Sequence, residues 1–355
     1  MSPERPTARG QGSAAGDSRP PRPRVPRGAV TAGDGLLLVD KPAGITSHDV
    51  VGAVRRLAAT RKVGHAGTLD PMATGLLVVG IGRATRLLTH LVGADKAYRA
   101  TIRLGQETST EDAEGRITAS SGCTARQVDA PRITRALACL TGTVMQVPSA
   151  VSAIKVDGVR SYARVRDGEQ VELEARQVVI SALDLIGEPR AASAQDGTPV
   201  VDIDVEVACS SGTYVRAIAR DLGRGLGCGA HLIALRRSAV GPLEVGWAAT
   251  LEALSAQVQD DAAASQPRGL AVMPMAQAAR LCFESVELSQ AQAQALRHGQ
   301  FLDEQILDSR RSPVRPIASA TSGGVVAGFA PSGSVVALLV RKGHKARPVL
   351  VLDPA

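Results

Sequence analysis

Aromatic residues are nearly missing from this chain. They make up 2% of its 355 residues: three Phe, three Tyr and one Trp. Any core must therefore be filled by Leu, Val, Ile and Ala, and a hydrophobic share of 44% supplies them. Cysteine is sparse as well. Cys123, Cys139, Cys209, Cys228 and Cys282 form no Cys-x-x-Cys pair, and their scatter suits neither a zinc site nor a disulfide framework. The expectation is free, buried thiols in a reducing cytosol. No apolar run is long enough to cross a bilayer. The first residues hold no continuous apolar core of the kind a secretory signal needs. Acidic residues are the minority charge, 34 Asp and Glu against 41 Lys and Arg, for a formal net charge of +7. That excess favours a polyanionic partner, through phosphate neutralisation and counterion release.

Residues 1–33 are rich in Arg, Pro, Gly and Ser, with almost no large apolar side chains. Such a segment buries too little surface to offset the entropy of ordering, which predicts a disordered basic arm. Its Arg19, Arg22, Arg24 and Arg27 suit RNA phosphates as well as they suit a solvated tail. Order is expected from Gly35. Leu36–Val39 reads as a strand, followed by a turn at Lys41-Pro42-Ala43-Gly44. Asp49–Ala59 has helical spacing, with Val50, Val54 and Leu57 on one face. Val63–Gly75, rich in Gly, Thr and Pro, reads as a loop. Leu76–Ile81 reads as a buried strand, Ala84–Val92 as a helix and Tyr98–Leu104 as an alternating strand. Pro131–Leu140 reads as a helix with Asp129 near its start. Gln177–Ile186 and Val200–Ala208 are strand-like. Helix and strand signals do not alternate regularly, which predicts an α+β domain around a mixed sheet. A polar stretch at Ser255–Pro267 marks a linker. After it, a short helix at Ser289–Arg297 and strands at Val325–Phe329, Val335–Leu339 and Val349–Leu352 predict a small β-rich domain.

The densest chemistry lies in Gly64-His65-Ala66-Gly67-Thr68-Leu69-Asp70-Pro71-Met72-Ala73-Thr74-Gly75. Its glycines permit close approach by a ligand. Pro71 biases Asp70 toward an extended conformation and stiffens the chain after it. A carboxylate on a stiff loop is well placed as nucleophile or base. An Asp before Pro is also a common turn starter, and residue types alone favour that plainer role. His65 and Asp70 do not make a metal site, because no further His or Cys lies nearby. Two of the three tyrosines stand in polar segments, Lys96-Ala97-Tyr98-Arg99 and Ser211-Gly212-Thr213-Tyr214-Val215-Arg216. A Tyr beside Arg suits stacking on an unpaired base, and it suits a core position with a satisfied hydroxyl equally well. Arg216 could hold a carboxylate ionised. In Gly227-Cys228-Gly229-Ala230-His231-Leu232-Ile233-Ala234-Leu235-Arg236-Arg237, the two arginines suit phosphate contacts or a solvated basic face. Gly80-Ile81-Gly82 imitates a dinucleotide fingerprint, but Thr85 holds the third glycine position and no acid follows at the required distance.

Together these segments resemble the TruB family of transfer RNA pseudouridine synthases, from about Gly35 to Leu251. Leu37-Leu38-Val39-Asp40-Lys41-Pro42-Ala43-Gly44 resembles the family's opening motif and Gly64–Gly75 its catalytic motif. Lys96–Arg99, Ser211–Arg216 and Cys228–Arg237 resemble the motifs that follow, in the family's order. Leu288–Gln300 and Ser334–Leu352 are weakly similar to PUA-type RNA-binding domains. The family often has Tyr in the segment matching Pro148–Lys155, and Val151 takes that place here.

The resemblance implies a catalytic domain over 34–254 around a mixed, largely antiparallel sheet, a linker over 255–275 and a PUA-like RNA-binding domain over 276–355. It implies isomerisation of uridine 55 in the transfer RNA T-loop, by base flipping and an Asp-dependent rearrangement of the glycosidic bond. Asp70 matches the catalytic aspartate, Tyr98 a tyrosine stacked on the target base, and Arg216 the arginine paired with the aspartate. Tyr214 and Leu235 match residues lining the base pocket. His65 matches a histidine that helps open the T-loop, and Lys41 with Pro42 matches a motif that shapes the site. No cofactor or metal is implied. The implied partner is the T-stem and loop of transfer RNA, with no membrane contact, for a monomer in the cytoplasm. Two other readings compete: a non-catalytic RNA-binding or RNA-folding module, and an oxidoreductase built on Gly80-Ile81-Gly82.

Overall fold

The computed structural model describes residues 23–149, 155–156, 159–160, 173–312 and 324–355. In chain order the strands are β1 (Gly35–Lys41), β2 (Val63–Ala66), β3 (Thr74–Ile81), β4 (Lys96–Leu104), β5 (Gln106–Thr108), β6 (Ile117–Ser120) and β7 (Gly142–Gln146). The hairpin β8 (Lys155–Val156) and β9 (Val159–Arg160) follows, then β10 (Arg176–Ser193), β11 (Pro199–Cys209), β12 (Ala230–Val240), β13 (Leu243–Glu244) and β14 (Met273–Pro274). The helices interleaved with them are α1 (Ser47–Leu57), α2 (Leu88–Leu91), α3 (Ala130–Cys139), α4 (Val215–Leu226) and α5 (Leu251–Ala263). The C-terminal part adds α6 (Met275–Cys282), β15 (Glu284–Glu287), α7 (Gln290–Arg297), β16 (Leu302–Asp303), β17 (Val326–Phe329), β18 (Val335–Lys342) and β19 (Lys345–Val351). Among the described residues no helix is long and apolar enough to cross a membrane.

The main sheet runs β14-β1-β3-β12-β4-β11-β10-β7, with β2 also on β3 and β13 on β12. Its pairs are antiparallel except one. β12 meets β3 in parallel over Arg236 and Arg237 against Thr74 and Gly75. The expected mixed, largely antiparallel α+β architecture is therefore present. The C-terminal sheet runs β15-β17-β18-β19-β16, which is the expected β-rich part.

The unbroken apolar run of β1 has a simple cause. Successive side chains of a strand point to opposite faces, so a continuous run means both faces are covered. Leu37 and Val39, with Leu77, Val79 and Ile81 of β3, pack beneath α1 and α5. Leu36 and Leu38, with Leu76 and Val78, pack against Phe283, Val325, Phe329 and Leu338 of the C-terminal part. One core thus spans both parts. α1 is started by a capping box: Thr46 Oγ1 accepts from the Asp49 amide at 3.1 Å, and Asp49 accepts from the Thr46 amide at 3.0 Å. α3 begins at Asp129, whose carboxylate accepts from the Arg132 amide at 2.9 Å, with Pro131 in the first turn.

Several expectations are corrected. Residues 1–22 of the predicted arm lie outside the described residues. Residues 23–33 do not form a free arm: Val25 and Ala32 are buried, and the Gly28 and Ala32 amides donate to the carbonyls of Arg56 and Ala58. The predicted linker begins inside α5, where Leu254 and Val258 are buried under a Thr250 cap. Its polar residues are the outer face of an amphipathic helix. Val63–Ala66 is a strand, because its amides pair with β3. The predicted helix 84–92 is a 3₁₀ turn, Gly82–Arg86, and the single turn α2. At the dinucleotide look-alike, Asp34 already accepts the Arg83 amide at 2.7 Å and pairs with its guanidinium. The amide a phosphate would need is taken, and no regular α-helix starts there.

Phe329→Ala should cost about 3–5 kcal/mol, the usual range for emptying a buried aromatic site. Because the core is shared, calorimetry should show one unfolding transition moved down in temperature, with no early C-terminal melting.

Candidate active site

Asp70 lies on the loop between β2 and β3, and that loop is fixed before the carboxylate makes any contact. Ser47, at the start of α1, accepts from the Leu69 amide at 2.9 Å and donates to the Leu69 carbonyl at 3.2 Å. Lys41, at the end of β1, is fully buried and donates to the carbonyls of Pro42, Pro71 and Ala73 at 2.9, 3.1 and 2.7 Å. The Gly44 amide donates to Pro71 O at 2.9 Å. Arg237, also buried, donates to Gly67 O at 3.0 Å and Leu76 O at 2.7 Å. At Gly75, φ is +96° and a Cβ would collide with the Arg237 backbone, so only glycine lets β3 and β12 meet there.

The Arg216 guanidinium holds Asp70 in a fork, Nε to Oδ2 at 3.0 Å and Nη2 to Oδ1 at 3.3 Å. Arg216 sits in the first turn of α4, with its side chain 5% exposed against 36% for Asp70. Its remaining nitrogen donates to Thr110 O at 2.9 Å and Ser149 Oγ at 3.2 Å, and lies 3.6 Å from Asp112 Oδ2. The fork is thus braced from behind. Burial pushes the Asp70 carboxyl above its ordinary value, Arg216 pulls it down, and the Asp112 carboxylate adds to the rise.

Asp70, Tyr98, Tyr214, Arg216 and Leu235 line one cavity of 290 Å³, with Gly67, Thr68, Lys96 and Arg237. That is the small end of ligand sites, which span about 300–1,000 Å³. Tyr98 belongs to the core and to the cavity wall at once. Burial pushes its hydroxyl up to about 12, with Arg237 opposing, so it stays protonated at working pH. Tyr214 is fixed through its backbone by the buried Gln146, whose side-chain amide donates to Tyr214 O at 3.2 Å and accepts from Tyr214 N at 2.9 Å. Two expected residues stand outside the cavity. Lys41 supports the loop from below. His65 lines a neighbouring depression with Arg61, Lys62, Thr85 and Thr89. Its ring stands edge-on to His48 at 5.7 Å, and burial lowers its pKa, so the imidazole is neutral at neutral pH. Val151 lies outside the described residues.

The model of the TruB family pseudouridylate synthase N-terminal domain matches residues 55–215. Those of the tRNA pseudouridylate synthase B C-terminal domain and the tRNA pseudouridine synthase II C-terminus match 216–310 and 315–353. The tRNA pseudouridine synthase B of Paenarthrobacter aurescens (strain TC1) is 51% identical over 324 residues, covering 90% of this chain and 95% of that protein. The chain belongs to the TruB family of pseudouridylate synthases. The tRNA pseudouridine synthase B of Streptomyces griseus subsp. griseus is 50% identical, over 90% of this chain and 98% of its own. The fold is shared with solved structures of an H/ACA RNP bound to a substrate RNA containing 2′-deoxyuridine (TM-score 0.61, 23% identity, 90% of this chain and 85% of that one). It is shared too with a Cbf5-Nop10-Gar1 complex (TM-score 0.63, 24% identity, 90% and 85%).

In this TruB-family chain, sequence reasoning missed the groups behind the fork. Asp112 is buried on the loop between β5 and β6 and accepts from the Glu114 amide at 3.1 Å and Thr110 Oγ1 at 2.5 Å. Thr108-Ser109-Thr110-Glu111-Asp112-Ala113-Glu114-Gly115, dense in acids and small residues, was the signal for it. Ser47, Gln146 and Ser149 carry no such signal. Arg237 is an internal strut, not the phosphate contact its neighbourhood suggested. Arg236 is spent on Asp40, at 2.9 and 2.7 Å.

Burial moves Lys41 and Lys96 down from 10.5 to about 8. The folded chain therefore releases these protons earlier than the unfolded chain. Stability from each group rises as pH climbs from about 8 to 10.5. Buried thiols act in the opposite sense, so the comparison is with Lys41→Met. At pH 9, calorimetry in buffers of different ionisation enthalpy should show about one proton fewer taken up on unfolding in Lys41→Met.

Proposed function

We propose that this protein converts uridine 55 in the T-loop of transfer RNA to pseudouridine, with Asp70 as the catalytic carboxylate. The observation that carries this reading is the Arg216 fork, which presents one carboxylate to a base-sized cavity walled by Tyr98. Family membership and the names of the relatives support the reaction and the substrate class.

In the reaction the N1–C1′ bond breaks, the uracil turns, C5 bonds to C1′ and gives up its hydrogen as a proton, and N1, freed from the sugar, takes a proton up. The base stays in the cavity throughout, so the isomerisation balances without a donor or an energy carrier. The target must first leave its stack, at a cost of roughly a few kcal/mol. Stacking on Tyr98 and insertion of His65 into the opened T-loop offset that cost. Two routes use an ionised Asp70: attack on C1′, or removal of a sugar proton to give a glycal-like intermediate. Both need a charge held in a confined site, and Arg216 supplies its counter-charge. Recognition rests on loop shape, phosphates and splayed bases, because the deep, narrow groove of A-form RNA does not admit side chains. The C-terminal sheet acts as a PUA-like second RNA contact. The working unit is a monomer in the cytoplasm.

A single-turnover assay on an unmodified transcript, with pseudouridine mapped by position, tests the proposal. Wild type should convert uridine 55. Asp70→Asn should lose roughly 10³-fold or more in rate while still binding RNA. Turnover by Asp70→Asn would sink the assignment. The ionised carboxylate is the working form, so kcat/KM should fall as pH drops through the raised Asp70 value. The acid limb therefore lies above pH 3.8, the ordinary carboxyl value. Arg216→Gln should shift that limb to still higher pH, because it removes the pull that opposes burial. A limb that stays put would separate Arg216 from the charge on Asp70.

A further inference from the structure

The C-terminal sheet turns an unusual face to solvent at its β18–β19–β16 edge. Strand alternation points Ala346 and Leu350 inward and leaves Lys345, Arg347 and Val349 exposed. The register sets Lys342 opposite Lys345 and Val340 opposite Arg347. β16 continues the sheet, with Leu302 paired to Ala346, so Phe301 emerges beside Arg347. Phe301 is 55% exposed, in a chain with three Phe in all. The Arg347 guanidinium lies 5.9 Å from its ring centroid. A flat aromatic, a flat cation and two lysines therefore share one surface.

Three acids lie nearby. Glu304 binds Arg341 and His344, and Asp308 binds Arg341. Asp303 accepts from the Gln305 amide at 2.9 Å and stands opposite Lys345 in the register, so its charge belongs to this face. Lys342, Lys345 and Arg347 form no ion pair with another described residue, and with Arg341 they set four cations against three carboxylates, which leaves the face positive. Charge is depleted at the centre of protein–protein interfaces, whereas aromatic platforms flanked by cations hold single-stranded nucleic acid. A stacked duplex offers a ring no free base face. We propose that Phe301 and Arg347 form a stacking platform for an unpaired nucleotide of the substrate RNA, with Lys342 and Lys345 on the flanking phosphates. This deepens the preceding reading and rests on the substrate being transfer RNA.

The test measures affinity for a full-length transcript, together with single-turnover rate at saturating RNA, in the whole protein. Phe301→Ala should weaken binding about 5- to 100-fold, the alanine-scan range for one base–aromatic stack. Its rate at saturation should match wild type, because the residue stands outside the catalytic cavity. Phe301→Trp should restore affinity, and Phe301→Leu should not. Lys342→Gln with Lys345→Gln should reduce the slope of log affinity against log salt by about 0.7 per cation removed from a single strand. Thermal melting confirms that each exposed substitution leaves the fold intact. Wild-type affinity in Phe301→Ala, or full rescue by Phe301→Leu, would overturn the platform. So would a self-associating wild type that Phe301→Ala dissociates with RNA affinity unchanged, since the face would then bind a second copy. A wild type that binds RNA but does not convert it would fail the proposed reaction while leaving the platform open to the same binding test.

Discussion

Everything in the site follows from the cost of keeping one carboxylate charged out of bulk water. A partly desolvated Asp drifts toward its neutral form unless a cation meets it. The cation must itself be anchored, or it would turn away to solvent. Arg216 is anchored at its remaining nitrogen by Thr110 and Asp112 from one loop and by Ser149 from another, both distant in sequence. Asp112 cuts both ways: it steadies the guanidinium and adds negative potential at Asp70. The balance leaves Asp70 more basic than a surface aspartate, which suits a group asked to attack or to take a proton. The sheet serves this arrangement by bringing β3, β4 and β12 side by side under the cavity.

Rigidity around the carboxylate comes from backbone contacts, not from side-chain partners of Asp70. Ser47, Lys41, Gly44 and Arg237 all grip carbonyls or amides of the loop that carries it. Cations buried on carbonyls contribute partial neutralisation with fixed geometry, and they leave the carboxylate's second edge free for substrate. A loop of small residues can be held this closely because little side-chain bulk stands between backbone and clamp.

Legibility in the sequence followed the range of the physics involved. The strand at Leu36–Val39 and the helix after Asp129 were readable because their signals are local: an apolar run and a cap. Asp70 and Arg216 stood out through their surroundings, and pairing them needed the family resemblance. The helix Val215–Leu226 passed unread although Ile218, Leu222 and Leu226 recur every four residues on one face, because Gly223 and Gly225 lower its helix propensity. The supposed linker failed for the opposite reason. Helix α5 shows Gln, Asp and Ala outward, and composition alone does not distinguish that from an unfolded tether. Ser149 and Gln146 were invisible, and Asp112 showed only as one acid in a dense segment, because their meaning lies in distant partners: Ser149 and Gln146 reach α4 across 67 and 68 residues, and Arg216 reaches the Thr110–Asp112 loop across 106.

The Asp70–Arg216 fork closes across 146 residues of chain. On a ribosome, the aspartate therefore emerges well before the arginine that activates it, and before Arg237 which holds its loop. A nascent or truncated chain carries the carboxylate without its counter-charge, and under the proposed mechanism it would lack the ionised group that acts on RNA. The ordering of the sequence acts as a safeguard: competence for chemistry arrives only with the completed fold.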